Sequence, residues 1–310
     1  MKIAIIGPGI MQIPPTGWGA VEILIWDYKQ TLEKYGHTVL IINTKNINDI
    51  INQCNNFNPD FVHIQYDEFW ELCDRFKCKN VAITSHYGYI TQKNKHGDYS
   101  KIFNGFLSKN VKLFVLSPEI ANFYKQHNYP ENKIFVIPNG VRADLFKYNP
   151  SCAYPDKSIC LAKIEDRKRQ YLIQDNSSIF FAGNIVDIRY KKHNYLGEWN
   201  KECLYNNLTN YANLILLSDG EAHPLVCMEA MVSGLGLVLS EYATANLNLS
   251  LPFIDVIPET KITDLDYINN IINTNRLKSI ENRNQIRNYV VSNFSWDHII
   301  SNYYIPSITK

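Results

Sequence analysis

Two glutamates eight positions apart, Glu221 and Glu229, lie in the part of the chain with the clearest chemical signals. An apolar run that ends at Leu217 predicts a strand, and the polar loop after it carries Glu221. The apolar stretch after Pro224 predicts a helix that carries Glu229, and Gly234 suits the end of that helix. Carboxylates in these positions can accept paired hydrogen bonds from sugar and ribose hydroxyl groups.

The start of the predicted helix adds a site for an anion. Pro224 suits the first helical turn, because its missing N–H costs nothing there. The free N–H groups of that turn, which includes Leu225, and the positive end of the helix dipole favour a bound phosphate. Taken alone, two glutamates at this spacing are more often a solvated helix residue and a charge before a helix. The order of strand, loop, proline, helix, glycine and strand favours a binding site instead.

Residues 213–241, NLILLSDGEAHPLVCMEAMVSGLGLVLSE, resemble the E-x7-E segment of glycosyltransferase family 4 almost throughout. The resemblance makes Glu221 and Glu229 the two glutamates of that signature. It implies that Glu221 contacts the sugar of a nucleotide-sugar donor and that Glu229 holds the ribose hydroxyls. It also implies that the helix start at Leu225 holds the distal phosphate.

A basic segment, residues 160–170 with the sequence CLAKIEDRKRQ, is similar to the G-R-x-x-x-x-K turn of the same family. Two cations of that turn clamp the donor diphosphate, and here Lys163 and Lys168 take their places. Fixed cations stabilise the charge that grows on a diphosphate leaving group. Lysine at position 163 lacks the bidentate fork of arginine. Taken alone, the run from Arg167 to Arg169 is more often a solvated basic turn.

Two loops of the first half also resemble this family. Residues 13–22, IPPTGWGAVE, are similar to its first glycine loop, and the resemblance implies that Gly17 and Gly19 approach the donor phosphates. Glycine permits such close backbone approach, although Trp18 splits the usual glycine pair. His86, after a predicted strand, matches the histidine that lies beside the donor sugar. A plain turn and a structural histidine are the alternatives.

The resemblance spans nearly the whole chain. Residues 137–141, IPNGV, match the turn that ends the family's first domain, although Arg142 follows where aspartate is usual. Residues 292–303, SNFSWDHIISNY, resemble the terminal helix that returns to the first domain. Between Lys168 and Glu221 the chain is short for the family by about one helical unit. The strand ends at residues 181–184 and 195–199 are left to surround the nucleotide base.

Short apolar runs alternate with segments of helical period, which is typical of βαβ units and parallel sheets. The first helix is predicted from apolar residues that recur on one face between Val21 and Leu32, and Gly36 is expected just beyond its end. The predicted strands are residues 2–6, 38–42, 61–65, 81–84, 113–116 and 134–137 in the first half, and 159–163, 179–182, 214–217 and 237–239 in the second.

The predicted fold class is α/β. The resemblance implies the GT-B fold, in which two Rossmann-like, doubly wound parallel-sheet domains face a cleft and a C-terminal helix returns to the first domain. We expect residues 1–150 to form an acceptor-side domain and residues 151–292 a nucleotide-sugar-binding domain. Residues 293–310 are expected to pack on the first domain. Pro150 and Pro155 interrupt a polar stretch at the boundary.

Composition excludes several other classes of protein. The formal net charge is +1, without the basic excess of a nucleic-acid binder. The seven cysteines lack metal-ligand spacing, since no second pair accompanies Cys73 and Cys78, and they suit a reducing compartment. No run approaches the ~20 apolar residues of a membrane span. The sequence therefore predicts a cytoplasmic globular protein without membrane contact, and the incomplete glycine pattern at residues 7–9 argues against a nicotinamide enzyme.

The sequence thus predicts a retaining glycosyltransferase that moves a sugar from a nucleotide diphosphate to an acceptor hydroxyl of a glycan, lipid-linked or small molecule. Such an enzyme would act in glycan or glycoconjugate biosynthesis. No DxD metal motif is evident for this role, so neither a metal nor another cofactor is expected. A non-catalytic nucleotide-sugar-binding protein and a nucleotide-sugar epimerase remain alternatives. The donor base, the donor sugar and the acceptor are left open.

Overall fold

The computed structural model describes residues 1–17 and 19–309, so Trp18 lies outside the described residues. The chain divides into two compact units, Met1–Gly140 with Trp296–Lys310 and Val141–Ser295. The sequence placed the domain boundary at residue 150, whereas the contacts divide the chain after Gly140. The physical reason is that Val141 and Phe146 are buried in the core of the second unit.

The first unit contains a six-stranded parallel sheet in the order β2-β1-β3-β4-β5-β6. Its strands and helices alternate as the apolar pattern predicts. They are β1 (Lys2–Ile6), α1 (Ala20–Lys34), β2 (Thr38–Ile42), α2 (Ile47–Phe57), β3 (Phe61–Ile64), β4 (Val81–Ser85), α3 (Tyr99–Leu107), β5 (Lys112–Val115), α4 (Pro118–Gln126) and β6 (Ile134–Val136).

Three short helical segments from the end of the chain complete this unit. They are α9 (Trp296–Ile299), a π-helical turn (Ile300–Tyr304) and α10 (Ile305–Thr309). The Trp296 indole N–H donates to Asp27 of α1 at 3.1 Å, and its ring packs edge-on against Tyr28. The predicted return of the C-terminal helix to the first domain is therefore confirmed.

The second unit contains a five-stranded parallel sheet in the order β11-β10-β9-β7-β8. Helices connect most of its strands, whereas β10 and β11 are joined by a loop with a short 3₁₀ turn. The elements are β7 (Tyr154–Leu161), α5 (Gln170–Ile173), β8 (Ile179–Ala182), α6 (Lys201–Asn207), β9 (Tyr211–Leu216), α7 (Leu225–Val232), β10 (Gly236–Ser240), β11 (Ile254–Ile257) and α8 (Leu265–Phe294).

Short 3₁₀ turns connect many of these elements. They lie at Asp67–Asp74, Lys93–Lys95, Glu131–Lys133, Asp166–Lys168, Leu208–Asn210, Glu241–Ala243 and Glu259–Lys261. Two residues separate β3 from the turn that begins at Asp67, and the turn that ends at Lys168 lies between β7 and α5. The second of these turns lies in the predicted basic segment and is ordered by local backbone hydrogen bonds, such as that from the Lys168 N–H to the Glu165 carbonyl at 3.0 Å.

The helix α8 and the strand β11 have no counterpart among the predicted elements. The buried face of α8 includes polar side chains at Asn275, Ser279 and Arg283, so its helical period is weak in the hydrophobic pattern. Arg283 is 2% exposed and donates hydrogen bonds to several backbone carbonyl groups, including those of Thr209 and Ser233. Burial of a paired arginine replaces the apolar residue that the pattern would need.

Candidate functional site

Each sheet has a point at which successive connections leave in opposite directions. In the second unit β7 is followed by its neighbour β8, whereas β9, on the other side of β7, is followed by β10. Ligands of open parallel sheets bind beyond the carboxyl ends of the strands at such a switch point. The loops after β7 and β9 carry Lys163, Lys168 and Glu221 to this point.

Lys168 and Glu221 form an ion pair between these two loops. The Lys168 ammonium donates to Oε1 of Glu221, and the two side chains are 9% and 11% exposed. The loops are also joined through the backbone, because the Asp219 N–H donates to the carbonyl oxygen of Arg167 at 2.9 Å. Two residues that the sequence assigned to one donor site therefore lie in direct contact.

Lys163 stands at the outer side of the same charge cluster. Its side chain is 50% exposed, and its ammonium lies 3.2 Å from Oε2 of Glu165. The Arg167 guanidinium donates to Oε1 of Glu165 at 2.6 Å and lies 3.6 Å from Oε1 of Glu221. Positive and negative side chains thus alternate from Lys163 through Glu165 and Arg167 to Glu221 and Lys168. The two glutamates hold the three cations together in the loop after β7.

The helix α7 begins directly after the Glu221 loop. The sequence placed Pro224 in the first helical turn, which is wrong by one position, because Pro224 is the residue before the helix and Leu225 is the first helical residue. The difference leaves the expected anion site intact, since the first N–H groups of an α-helix have no partner within it. Gly234 has φ +87° just beyond the helix end, as a C-terminal glycine should.

Glu229 lies on α7 and is half-buried. Its side chain is 16% exposed, and Oε1 lies 3.9 Å from Nζ of Lys201 at the start of α6. Burial raises the pKa of the Glu229 carboxyl, and Lys201 lowers it. Burial, together with the charges of Glu221 and Glu229, raises the pKa of the Cys227 thiol on the same helix, and Lys168 lowers it.

The loop after β8 lies where the sequence expects the nucleotide base. Gly183 has φ +143°, and a Cβ there would lie 2.0 Å from the carbonyl oxygen of Ala162, so only glycine fits. The Tyr195 hydroxyl donates to the Gly183 carbonyl at 2.9 Å, and the Asn184 amide donates to Glu198 at 2.7 Å. Residues 183–200 contain no helix, and they lie within the segment between Lys168 and Glu221 that the sequence analysis expected to be short for the family.

His86 lies in the first unit, directly after β4, and two residues after β3 hold it. Its ring Nε2 lies 2.7 Å from Oε1 of Gln65. Its backbone N–H donates to the Asp67 carboxylate at 3.1 Å, and the Tyr99 hydroxyl donates to the same carboxylate at 2.6 Å. Burial lowers the pKa of His86 to about 4 and raises that of Asp67 to about 6. The imidazole is therefore neutral at pH 7.

The glycine loop follows β1, at the switch point of the first sheet. Among the described residues, a Cβ at Gly17 would meet no atom within 4 Å beyond its own sequence neighbours, whereas Gly19 has φ +130° and a Cβ there would lie 3.1 Å from Glu22. Asn43, at the end of β2, accepts a hydrogen bond from the Gly9 N–H at 2.8 Å and donates to the Met11 carbonyl at 2.7 Å. Asn43 after β2 thus fixes the backbone of the loop after β1 by two hydrogen bonds.

Sequence reasoning missed several residues around the predicted ones. Glu165, Arg167 and Lys201 contact the second-unit site, and Gln65 and Asp67 hold His86. The position of Gln65 and Asp67 just after a strand was a usable signal, because the carboxyl ends of neighbouring parallel strands share one edge of the sheet. No such signal separates Arg167 from the rest of its basic run.

Among residues 1–17 and 19–309, no group of three or more histidine, cysteine, aspartate or glutamate side chains is placed to hold a metal ion. One Asp-x-Asp triplet does occur in the sequence, at Asp264 and Asp266. Asp264 caps the start of α8 by accepting the Tyr267 N–H at 3.1 Å, and it pairs with Lys261. In the same described part of the chain, no helix is both long enough and apolar enough to cross a membrane.

Comparisons with known proteins agree with this architecture. A family model described as Glycosyltransferase Family 4 matches residues 35–145. Sucrose-phosphate synthase from Thermosynechococcus elongatus is 14% identical with a TM-score of 0.73, over 96% of each chain. The HepE protein of Anabaena, solved in complex with UDP-glucose, is 12% identical with a TM-score of 0.72, over 100% of this chain and 98% of HepE.

A third similar structure is AviGT4, a glycosyltransferase involved in avilamycin A biosynthesis. It is 14% identical with a TM-score of 0.72, and the match covers 99% of this chain and 97% of AviGT4. A search of curated protein sequences found no match. The two parallel-sheet units and these similarities show that the chain has the GT-B fold, as the sequence predicts. The match to the family model lies over residues 35–145, about a third of the chain.

Proposed function

We propose that this protein is a retaining glycosyltransferase of family 4 that transfers a hexose from a nucleotide diphosphate to an acceptor hydroxyl. The observation that carries the proposal is the contact between Lys168 and Glu221 at the switch point of the second sheet, directly before the start of α7. Fold similarity alone does not identify a reaction, so the proposal rests on these residues.

Lys163 and Lys168 would bind the diphosphate together with the first N–H groups of α7, beginning at Leu225. Negative charge accumulates on the diphosphate as the bond from the anomeric carbon breaks, and fixed cations stabilise it most in the transition state. The two lysines therefore replace a metal ion in this proposal, and Gly17 and Gly19 are proposed as further phosphate-binding residues.

Glu221 and Glu229 would have different tasks. Glu221 lies in the loop after β9, before the helix start that is proposed for the phosphate, so its carboxylate would bind donor sugar hydroxyls. Glu229 lies further along α7 and would bind the ribose diol. His86 would lie beside the donor sugar as a neutral hydrogen-bonding group, because burial lowers its pKa to about 4.

The reaction would retain the anomeric configuration by a front-face path. The acceptor oxygen would bond to the anomeric carbon on the face that the diphosphate leaves, and the acceptor proton would pass to the departing phosphate oxygen. Such a path needs no enzyme nucleophile. The similar structures include HepE with UDP-glucose and HepE with UDP and glucose, which supports UDP-glucose as the first donor to test.

Two linked experiments test the function. Thermal unfolding is first measured with UDP, GDP and ADP, and a nucleotide at 100 times its Kd should stabilise the protein by about 2.7 kcal/mol. Release of UDP from UDP-glucose is then measured with candidate acceptors and with water. Binding without turnover across acceptors would support a non-catalytic binding protein. Conversion of UDP-glucose to another UDP-hexose without an acceptor would support an epimerase, and the absence of any nucleotide effect would contradict the proposal.

A further inference from the structure

Arg167 contacts both loops of the second-unit site. Its guanidinium donates to the Gly220 carbonyl at 2.9 Å and to Glu165 at 2.6 Å, and it lies 3.6 Å from Oε1 of Glu221. Its own carbonyl oxygen accepts the N–H of Asp219. Arg167, in the loop after β7, thus contacts three consecutive residues of the loop after β9, namely Asp219, Gly220 and Glu221.

The three members of the basic run are held in different ways. Lys168 pairs with Glu221, whereas Arg169 forms a two-point pair with Glu259 at 2.9 Å. Arg167 is the member whose side chain contacts both the backbone and the carboxylate of the Glu221 loop. The run is therefore not a uniformly solvated basic turn.

The side chains that surround Glu221 differ in how firmly they are held. Lys168 offers a single ammonium on a flexible stem, and the proposed function requires it to bind the diphosphate. Arg167 presents a planar fork that the Gly220 carbonyl and Glu165 already orient. Glu221 is 11% exposed, and a carboxylate so buried needs a countercharge when its lysine turns to another anion.

We propose that Arg167 is a positioning residue that fixes the Glu221 loop and remains the countercharge of Glu221 while Lys168 binds the donor diphosphate. This inference rests on the proposed function and assigns no contact between Arg167 and the donor. It separates the two cations nearest Glu221 into one that binds phosphate and one that orients the carboxylate.

The first test uses Arg167→Met, which keeps much of the length and removes the charge. With UDP-glucose as donor and water as acceptor, kcat should fall about 10- to 100-fold, the range for a lost hydrogen bond to a charged group. The Kd for UDP, measured by calorimetry, should change less than about threefold. Arg167→Lys should restore part of kcat. Equal losses of UDP and UDP-glucose affinity with unchanged kcat would overturn the inference, because Arg167 would then be a phosphate ligand.

The matched control is Arg189→Met. Arg189 also pairs with two carboxylates of the second unit, Asp187 and Asp166, and its guanidinium stacks on the ring of Tyr171. The control should keep both kcat and the Kd for UDP. A fall in kcat equal to that of Arg167→Met would show a general effect of charge removal and would overturn the assignment.

A second measurement does not depend on the donor. Amide hydrogen exchange at residues 218–221 should quicken in Arg167→Met and stay unchanged in Arg189→Met, because the guanidinium no longer holds the Gly220 carbonyl. Unchanged exchange in Arg167→Met would overturn the positioning role. If exchange quickens but the protein binds neither UDP nor UDP-glucose, the fault lies with the proposed function and not with the role of Arg167.

Discussion

Lys168 and Glu221 pair across two loops that follow neighbouring strands, and their side chains are only 9% and 11% exposed. Breaking such a pair by removing one partner leaves a charge in a place with little solvent. A single replacement should therefore affect both the stability of the second unit and any reaction at this site, which separates Lys168 from the more exposed Lys163.

Replacement of the lysines tests the diphosphate site. Lys168→Ala and Lys163→Ala should each cost on the order of 2–4 kcal/mol of transition-state stabilisation, measured as kcat/KM for UDP-glucose. Lys168→Ala should also lower the melting temperature, whereas Lys163→Ala should leave it unchanged because that side chain is 50% exposed. Unchanged kinetics in both variants would remove the phosphate assignment.

The two glutamates should differ in kinetics. Glu229→Gln should raise KM for the donor more than it lowers kcat, because the ribose does not change during the reaction. Glu221→Gln should lower kcat with a smaller change in KM, because charge grows on the sugar that it would contact. Circular dichroism checks folding of both variants. If both change KM alike and keep kcat, Glu221 has no special place at the reacting sugar.

Gly17 and Gly19 offer a test that separates function from folding. In the part of the chain that the structure describes, a Cβ at Gly17 meets no atom within 4 Å beyond its sequence neighbours, so Gly17→Ala should keep the melting temperature. If this glycine approaches the donor phosphates, the same methyl group should lower kcat/KM about tenfold or more. Gly19→Ala is the contrasting variant, since φ +130° strains any other residue. Wild-type kinetics in Gly17→Ala would remove Gly17 from the site.

Activity should survive EDTA, since the proposal assigns neutralisation of the diphosphate to lysines and a helix start. The assay compares UDP release in EDTA with release after readdition of Mg²⁺ or Mn²⁺. Complete loss with EDTA and recovery with either ion would contradict the prediction. A metal-dependent path would then require carboxylates that the present assignment does not use.

The burial of His86 predicts a pH dependence of stability. Its pKa falls from 6.5 to about 4 in the folded state, so the unfolded chain binds a proton first as the pH falls. The contribution of His86 to the free energy of unfolding is present above about pH 6.5 and is lost as the pH falls toward 4. Between pH 7 and pH 5, wild type should lose about 2 kcal/mol more unfolding free energy than His86→Asn, by urea titration. Equal losses would contradict the assigned burial.

Much of the fold could be predicted because its strands are short apolar runs and because the residues that end its helices act locally in the sequence. Gly36, with φ +80°, follows α1 as its sequence indicates, and the strand at Lys2–Ile6 has the predicted bounds. Helix α8 could not be predicted in this way, because Asn275 and Arg283 are buried through tertiary hydrogen bonds that the sequence pattern does not contain.

The candidate site also has a part that could be predicted from the sequence and a part that could not. The strand–loop–helix context of Glu221 and Glu229 is local in sequence, so it could be predicted, and their roles stay predictions. The ion pair of Lys168 with Glu221 could not be inferred, because the two residues are 53 positions apart. They meet because β7 and β9 are neighbours in the sheet. The contacts of Gln65 and Asp67 with His86 could have been expected, because the carboxyl ends of neighbouring parallel strands share one edge of the sheet.

The last residues of the chain belong to the core of the first unit. The Tyr304 hydroxyl lies 3.1 Å from Nδ1 of His63 on β3, and that ring lies 3.4 Å from the Gln65 amide that holds His86. During synthesis, residue 304 must therefore emerge from the ribosome before the first unit can complete its core. The second unit, which is continuous in sequence, can finish folding earlier, so the domain that is translated first would be completed last.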